Sequence, residues 1–97
     1  MRALALGILI IAGVSLANQQ LAQQKGCMAC HANDAKKVGP AYKEIAKKYA
    51  TRQDAVDYLA QKIKQGGRGV WGQVPMPPQN VSDQEAKQLA QWIMSLK

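Results

Sequence analysis

The residues that most constrain this chain are its only two cysteines and its only histidine, which fall together as Cys27-Met28-Ala29-Cys30-His31. At this spacing the two thiols lie about one helical turn apart and reach in the same direction, with the imidazole of the next residue beneath them. A CxxCH run of this kind is the pattern in which two thiols add across the vinyl groups of a haem and the adjacent histidine ligates its iron. Thioether bonds do not dissociate, so the cofactor becomes part of the covalent chain. Three other chemistries compete for these residues. A disulfide or a thiol-exchange site would suit an exported chain, but neither needs His31, and the exchange reading lacks the βαβ pattern that accompanies it. A closed zinc site normally takes four ligands, and only three are here.

An exported destination is itself legible. Met1 and Arg2 form a minimal basic start, Ala3 to Val14 is an almost unbroken apolar run, and Ser15-Leu16-Ala17 offers the small residues of a cleavage site. The expectation is a signal peptide over 1–17, cleaved after Ala17, and one domain over 18–97, placed in the periplasm. The run is shorter than the roughly 20 apolar residues that cross a bilayer, although an uncleaved anchor is the alternative. Removing 17 residues from 97 leaves 80, near the lower limit for a self-sufficient core. With no phenylalanine, the aromatic set is Tyr42, Tyr49, Tyr58, Trp71 and Trp92. A large bound apolar cofactor makes good that deficit and stabilises the native state by binding to it alone.

The apolar periodicity is helical throughout, and no segment alternates as a half-buried strand does. A first helix is expected from about Gln19 into the cysteines. A second starts at Pro40, whose missing donor costs nothing there, and aligns Tyr42, Ile45, Ala46 and Tyr49. A third follows Thr51, which could cap with Asp54, and aligns Val56, Leu59, Ala60 and Ile63 before Gly66-Gly67 stops it. The fourth opens on the capping box Ser82-Asp83-Gln84-Glu85 and carries Ala86, Leu89, Ala90, Ile93 and Lys97 along one face, with Trp92 beside them. The fold class is therefore all-α. Between the third and fourth helices the stretch from Gly66 to Val81 holds four glycines and three prolines, which forbids a helix, and its length asks for a function.

The haem motif, Val38-Gly39-Pro40-Ala41-Tyr42, Gly69-Val70-Trp71-Gly72, Pro75-Met76-Pro77-Pro78 and the capped last helix with Trp92 occur in the order and spacing of a known family. From 18 to 97 the chain resembles the short bacterial class I cytochromes c, periplasmic donors to nitrite reductases and oxidases. That resemblance implies about four helices wrapped round one covalently bound haem c, attached through Cys27 and Cys30, with iron held by His31 and Met76. It also implies that Pro40 accepts a hydrogen bond from the other nitrogen of His31, and that Trp71 directs its indole N–H at a haem propionate. Gly26 and Trp92 would mark a close crossing of the terminal helices, and Gln79 would approach the Met76 sulfur. Without the resemblance Met76 reads equally as a gap-filler, Trp71 as a space-filling aromatic and Gln79 as a solvated loop residue. Met28 lies inside the attachment loop and Met94 in a helix where packing explains it.

With two strong axial ligands there is no open coordination position, which describes an electron carrier and not an enzyme. A haem enzyme or gas sensor would need an open sixth position and a distal acid or base, and the only histidine is already committed. Without Arg2, 12 lysines and arginines face 6 acidic residues, a formal charge of +6. Lys25, Lys36, Lys37, Lys43, Lys47 and Lys48 crowd the first half of the mature chain, where they could ring an exposed haem edge or simply solvate the surface. The expected partners are redox proteins with acidic docking surfaces, such as a nitrite reductase, a terminal oxidase or a cytochrome bc1-type complex. Nucleic acid is not expected, and the expected state is a monomer.

Overall fold

The computed structural model describes residues 18–96, so the leader expected over 1–17 and the last residue of the fourth helical stripe, Lys97, lie outside the described residues. Within that span the regular elements are all helical: α1 over 18–24, a short 3-10 turn Cys27–Ala29, α2 Tyr42–Lys48, α3 Ala55–Gln65 and α4 Asp83–Met94. Among the described residues the extended pairings are two isolated bridges, His31 with Lys36 and Gly67 with Met76.

Three helix starts or ends differ from the sequence expectation, each for a local reason. The first helix does not run into the cysteines. Gly26 adopts φ +79°, a left-handed conformation that glycine takes at little cost, and the chain restarts as the tighter turn that carries Cys27 and Cys30. A Cβ on Gly26 would meet nothing within 4 Å, so the glycine serves this backbone turn and not a close approach of Trp92. Trp92 packs edge-on against Tyr42 instead, at a centroid distance of 5.1 Å. The second helix begins at Tyr42 and not at Pro40, because Ala41 is still extended at φ −62°, ψ 144°. The Thr51–Asp54 box does not form. Asp54 stands at the N-cap of α3, but its carboxylate accepts from the Arg52 guanidinium at 2.5 and 3.2 Å, which leaves the helix N–H groups without a side-chain cap.

The expected start of α4 is present in full. The Glu85 N–H donates to Ser82 Oγ at 3.1 Å and the Ser82 N–H donates to the Glu85 carboxylate at 2.9 Å, a reciprocal cap worth about 1 kcal/mol. That backbone donor, helped by Lys25 at 3.5 Å, holds the Glu85 carboxyl below its ordinary value. Behind the cap, Ala86, Leu89, Ala90 and Ile93 turn inward with Trp92. The helix packs most extensively on α3, through Ala55, Leu59 and Ile63, and also on α2, through Tyr42, Ile45 and Ala46. Ala22 of α1 is wholly buried in the same cluster. Ala22, Ala46, Ala86 and Ala90 are wholly buried where the helices meet, and the one large side chain under 2 % exposed is Leu89. The helix–helix core is therefore compact, and the larger inward side chains are left to line a space beside it.

Candidate cofactor site

That space is a cavity of about 510 Å³ between the Cys27–His31 segment, the inward ends of α2 and α3, and the Gly66–Val81 loop. Its volume lies in the range of cofactor sites. Cys27, Cys30, His31, Pro40, Trp71 and Met76, the six residues singled out from the sequence, all line it.

The near wall is organised around His31. The amides of Cys30 and His31 both donate to the Cys27 carbonyl, at 3.2 and 3.0 Å, which fixes the cysteines and the histidine on one tight turn. The loop after it is tied back by Gly39 N–H to the Cys30 carbonyl at 2.7 Å and Tyr42 N–H to the Ala32 carbonyl at 2.9 Å. This brings the Pro40 carbonyl to 2.7 Å from His31 Nδ1. A carbonyl only accepts, so Nδ1 carries the proton and Nε2 keeps a free lone pair. Gly39 makes the approach possible, since a Cβ there would stand 2.5 Å from His31 Cε1. Gly39→Ala is accordingly expected to push the ring off the Pro40 carbonyl and to destabilise the protein by about 1–3 kcal/mol, as overpacking does, measured as a lowered denaturant midpoint.

The far wall is the long loop, and it is stiff for identifiable reasons. Gly66 ends α3 at φ +73°, and a Cβ on it would collide with the Met76 carbonyl and the Pro77–Pro78 backbone. Gly67 and Met76 exchange both amide hydrogen bonds, at 3.0 and 2.8 Å, and the Gln79 N–H donates to the Ile63 carbonyl at 3.0 Å. The Met76 backbone is thus pinned to the end of α3 from both sides. Among the described methionines, only Met76 lines the cavity, whereas Met28 and Met94 pack against the margin of the helical core. Gln79 lines the cavity together with Met76, and its side-chain amide donates to the Pro77 carbonyl at 2.8 Å. Trp71 stands at the mouth, 42 % exposed, with Lys48 Nζ 5.5 Å from its ring.

Several lining residues had no assigned place in the sequence reading. Tyr58 packs tilted against Tyr49, with centroids 5.2 Å apart, and lies under the Arg52 guanidinium at 3.8 Å. Its position on the α3 stripe adjoining Leu59 was the available signal. Gly39 carried none beyond its place before a proline. Of the six lysines counted near the motif, Lys25, Lys43 and Lys47 are paired with Glu85, Asp34 and Glu44, and Lys37 donates to the Met28 carbonyl at 2.9 Å. Among the described residues Lys36 and Lys48 have no such ion pair, and neither do Lys62 and Arg68 on the cavity lining.

The donor set fits haem c: two thiols on one turn, an imidazole with one nitrogen already occupied, and a methionine on the far wall of a largely apolar cavity. Burial pushes the Cys27 thiol up, the reverse of a thiol-exchange centre, where the thiol is made more acidic. The family model for cytochrome c matches residues 16–97. The chain is 75 % identical over 87 residues to cytochrome c-552 of Hydrogenobacter thermophilus, covering 90 % of this chain and 89 % of that one. It is 52 % identical over 95 residues to cytochrome c-551 of Pseudomonas aeruginosa, covering 97 % and 91 %. The crystal structure of wild-type Nitrosomonas europaea cytochrome c552 superposes with a TM-score of 0.80 at 59 % identity, over 81 % of this chain and 99 % of that one.

Proposed function

Because this chain belongs to the cytochrome c family, and so carries covalently bound haem c and passes electrons between protein partners, we propose that it is a periplasmic one-electron carrier with His/Met axial ligation. The observation that carries this reading is that Cys27, Cys30, His31 and Met76 open on one cavity, from two walls that are each hydrogen-bonded into place. In this reading the thiols of Cys27 and Cys30 form the thioether bonds, His31 presents Nε2 to the iron and Met76 presents its sulfur from the opposite wall. When bound, the haem supplies a couple between ferrous and ferric iron.

The surrounding residues keep that couple simple. The Pro40 carbonyl orients the His31 ring and raises its basicity as a ligand. The Gly67–Met76 hydrogen bonds and the prolines after Met76 restrict movement of the second ligand between redox states. Trp71 directs its indole N–H at a propionate from the mouth of the cavity. Lys36, on the lining, and Lys48, beside Trp71, supply positive charge where a partner approaches. They favour acidic docking faces, as on a nitrite reductase, a terminal oxidase or a cytochrome bc1-type complex. Residues 1–17 act as the export signal.

The test uses the mature holoprotein. It is expected to keep its colour through acid–acetone extraction, to give a reversible one-electron wave, and to show no spectral change when the reduced form meets carbon monoxide. The rate with an acidic redox partner is expected to fall as salt rises from about 0.01 to 0.1 M, as the Debye length shrinks from about 30 to 10 Å. Ready carbon monoxide binding by the wild type would remove the two-ligand carrier reading, and a salt-independent rate would remove the acidic docking face.

A further inference from the structure

The main-chain contacts that hold Met76 come from the end of α3, Ile63 to Gly67, and at their centre is a residue with no side chain. Gly66 is buried and takes φ +73°, ψ −169°, a backbone region that is essentially glycine's alone. A Cβ there would overlap the Met76 carbonyl oxygen and stand 2.8 Å from Pro78 N and 2.9 Å from the Pro77 carbonyl carbon. The Met76–Pro78 backbone is thus laid into the space that a side chain would fill. Gly67 and Met76 exchange their amide hydrogen bonds on one side of this contact, and the Gln79 N–H donates to the Ile63 carbonyl on the other. Pro77 and Pro78 have a fixed φ, so the chain between those bonds has little freedom to absorb a shift.

The same turn of α3 also faces the cofactor. Ile63 lines the cavity with its side chain while its carbonyl holds Gln79, so the haem and Met76 are registered against each other through one helical turn. The excursion over 68–75 plays no comparable part. It is exposed throughout, and its one main-chain hydrogen bond among the described residues, Gly69 N–H to the Gly72 carbonyl at 2.9 Å, closes on itself.

We propose that Gly66 is a positioning residue for the axial methionine: the space at its α-carbon sets where the Met76 backbone lies against the haem, and so how firmly the sulfur holds the iron. This rests on the His/Met ligation read above. A side chain at position 66 lifts the Met76 backbone off α3 and raises the fraction of molecules whose sulfur is off the iron. The apparent affinity for an outside ligand rises in proportion to that fraction.

Imidazole, which competes with the sulfur for ferric iron, is the probe, added to holoproteins carrying covalently attached haem while the ferric sulfur-to-iron band is followed. Gly66→Ala is expected to bind imidazole at about tenfold lower concentration than the wild type. Ala90→Gly, wholly buried in the interior of α4 and off the cavity lining, is the control for lost stability alone. It is expected to lower the denaturant midpoint, as glycine in a helix does, and to leave imidazole binding unchanged. Gly67→Pro decides the matter if Gly66→Ala gives no holoprotein. It deletes the amide that donates to the Met76 carbonyl, leaves Gly66 at the extended ψ that suits a residue before proline, and is expected to shift binding the same way by about threefold. Wild-type imidazole binding in the Gly66→Ala holoprotein, or in Gly67→Pro where that is the variant obtained, overturns the proposal, and so does an equal shift in Ala90→Gly. Met76→Ala is measured alongside. If it keeps the sulfur-to-iron band, the ligation reading itself has failed and the proposal falls with it, whereas a band lost there and imidazole binding unmoved in Gly66→Ala sinks the proposal alone.

Discussion

Met76→Ala is expected to lower the midpoint potential of the bound haem by on the order of 0.1–0.3 V, within the ~0.8 V that axial ligation spans. A thioether sulfur is a soft ligand that favours ferrous over ferric iron, so its removal withdraws that preference. The same variant is expected to lose the ferric sulfur-to-iron band and to bind carbon monoxide when reduced. Little else should change, because the Gly67–Met76 hydrogen bonds that shape the loop are made by the backbone and survive truncation of the side chain. Met94→Leu is the control. Met94 packs at the margin of the helical core, and a volume-conserving exchange there costs under about 1.5 kcal/mol without reaching the iron. Titration of both proteins decides the matter. A Met76→Ala protein with the wild-type spectrum and potential, set against a Met94→Leu protein that loses them, would reverse the assignment.

Changing Cys27 and Cys30 together to alanine is expected to give a chain with no covalently attached haem and no cooperative fold. The cavity explains the size of the effect. The cavity of about 510 Å³ is lined by larger core side chains, Tyr42, Ile45, Leu59, Ile63, Leu89, Trp92 and Ile93, which bound haem would cover and which face water without it. Those side chains make up much of the buried cluster, so without haem the small core loses the partner its larger members pack on. Circular dichroism of the double variant should show helix content well below that of the wild type, and a denaturing gel should show no haem stain. A variant that still melts cooperatively at the wild-type temperature without haem would mean that the helices are stable alone and the cofactor only fills space.

Helix α4 shows how much of this fold can be read along the chain. Its cap and its inward stripe depend on neighbours within one or two turns, and each is present where the spacing put it. The termini that moved are those where a side chain or carbonyl was committed elsewhere. Asp54 was drawn away from the start of α3 by Arg52 two residues before it. Pro40 stands outside α2 while its carbonyl accepts from His31, nine residues earlier. Gly26 ended α1 early because the attachment turn needs a reversal that a continuous helix does not provide. Charge was legible as a count and not as a field, because Lys25 and Lys43 pair with Glu85 and Asp34, which only the fold brings near.

The sequence by itself determined the chemistry and the fold class: Cys27, Cys30 and His31 are adjacent, so their relation is covalent and local, and helical periodicity repeats over a few residues. The tertiary structure decided what required distant segments to meet. Among the described methionines it put Met76 on the cavity, because the end of α3 pins the loop there through Gly66, Gly67 and Ile63. It also gave Gly39 and Tyr42 their places against His31. Neither residue type announces such a role, since a glycine is selected here for the space it leaves and a tyrosine for the face it presents, and both depend on what the rest of the chain puts beside them.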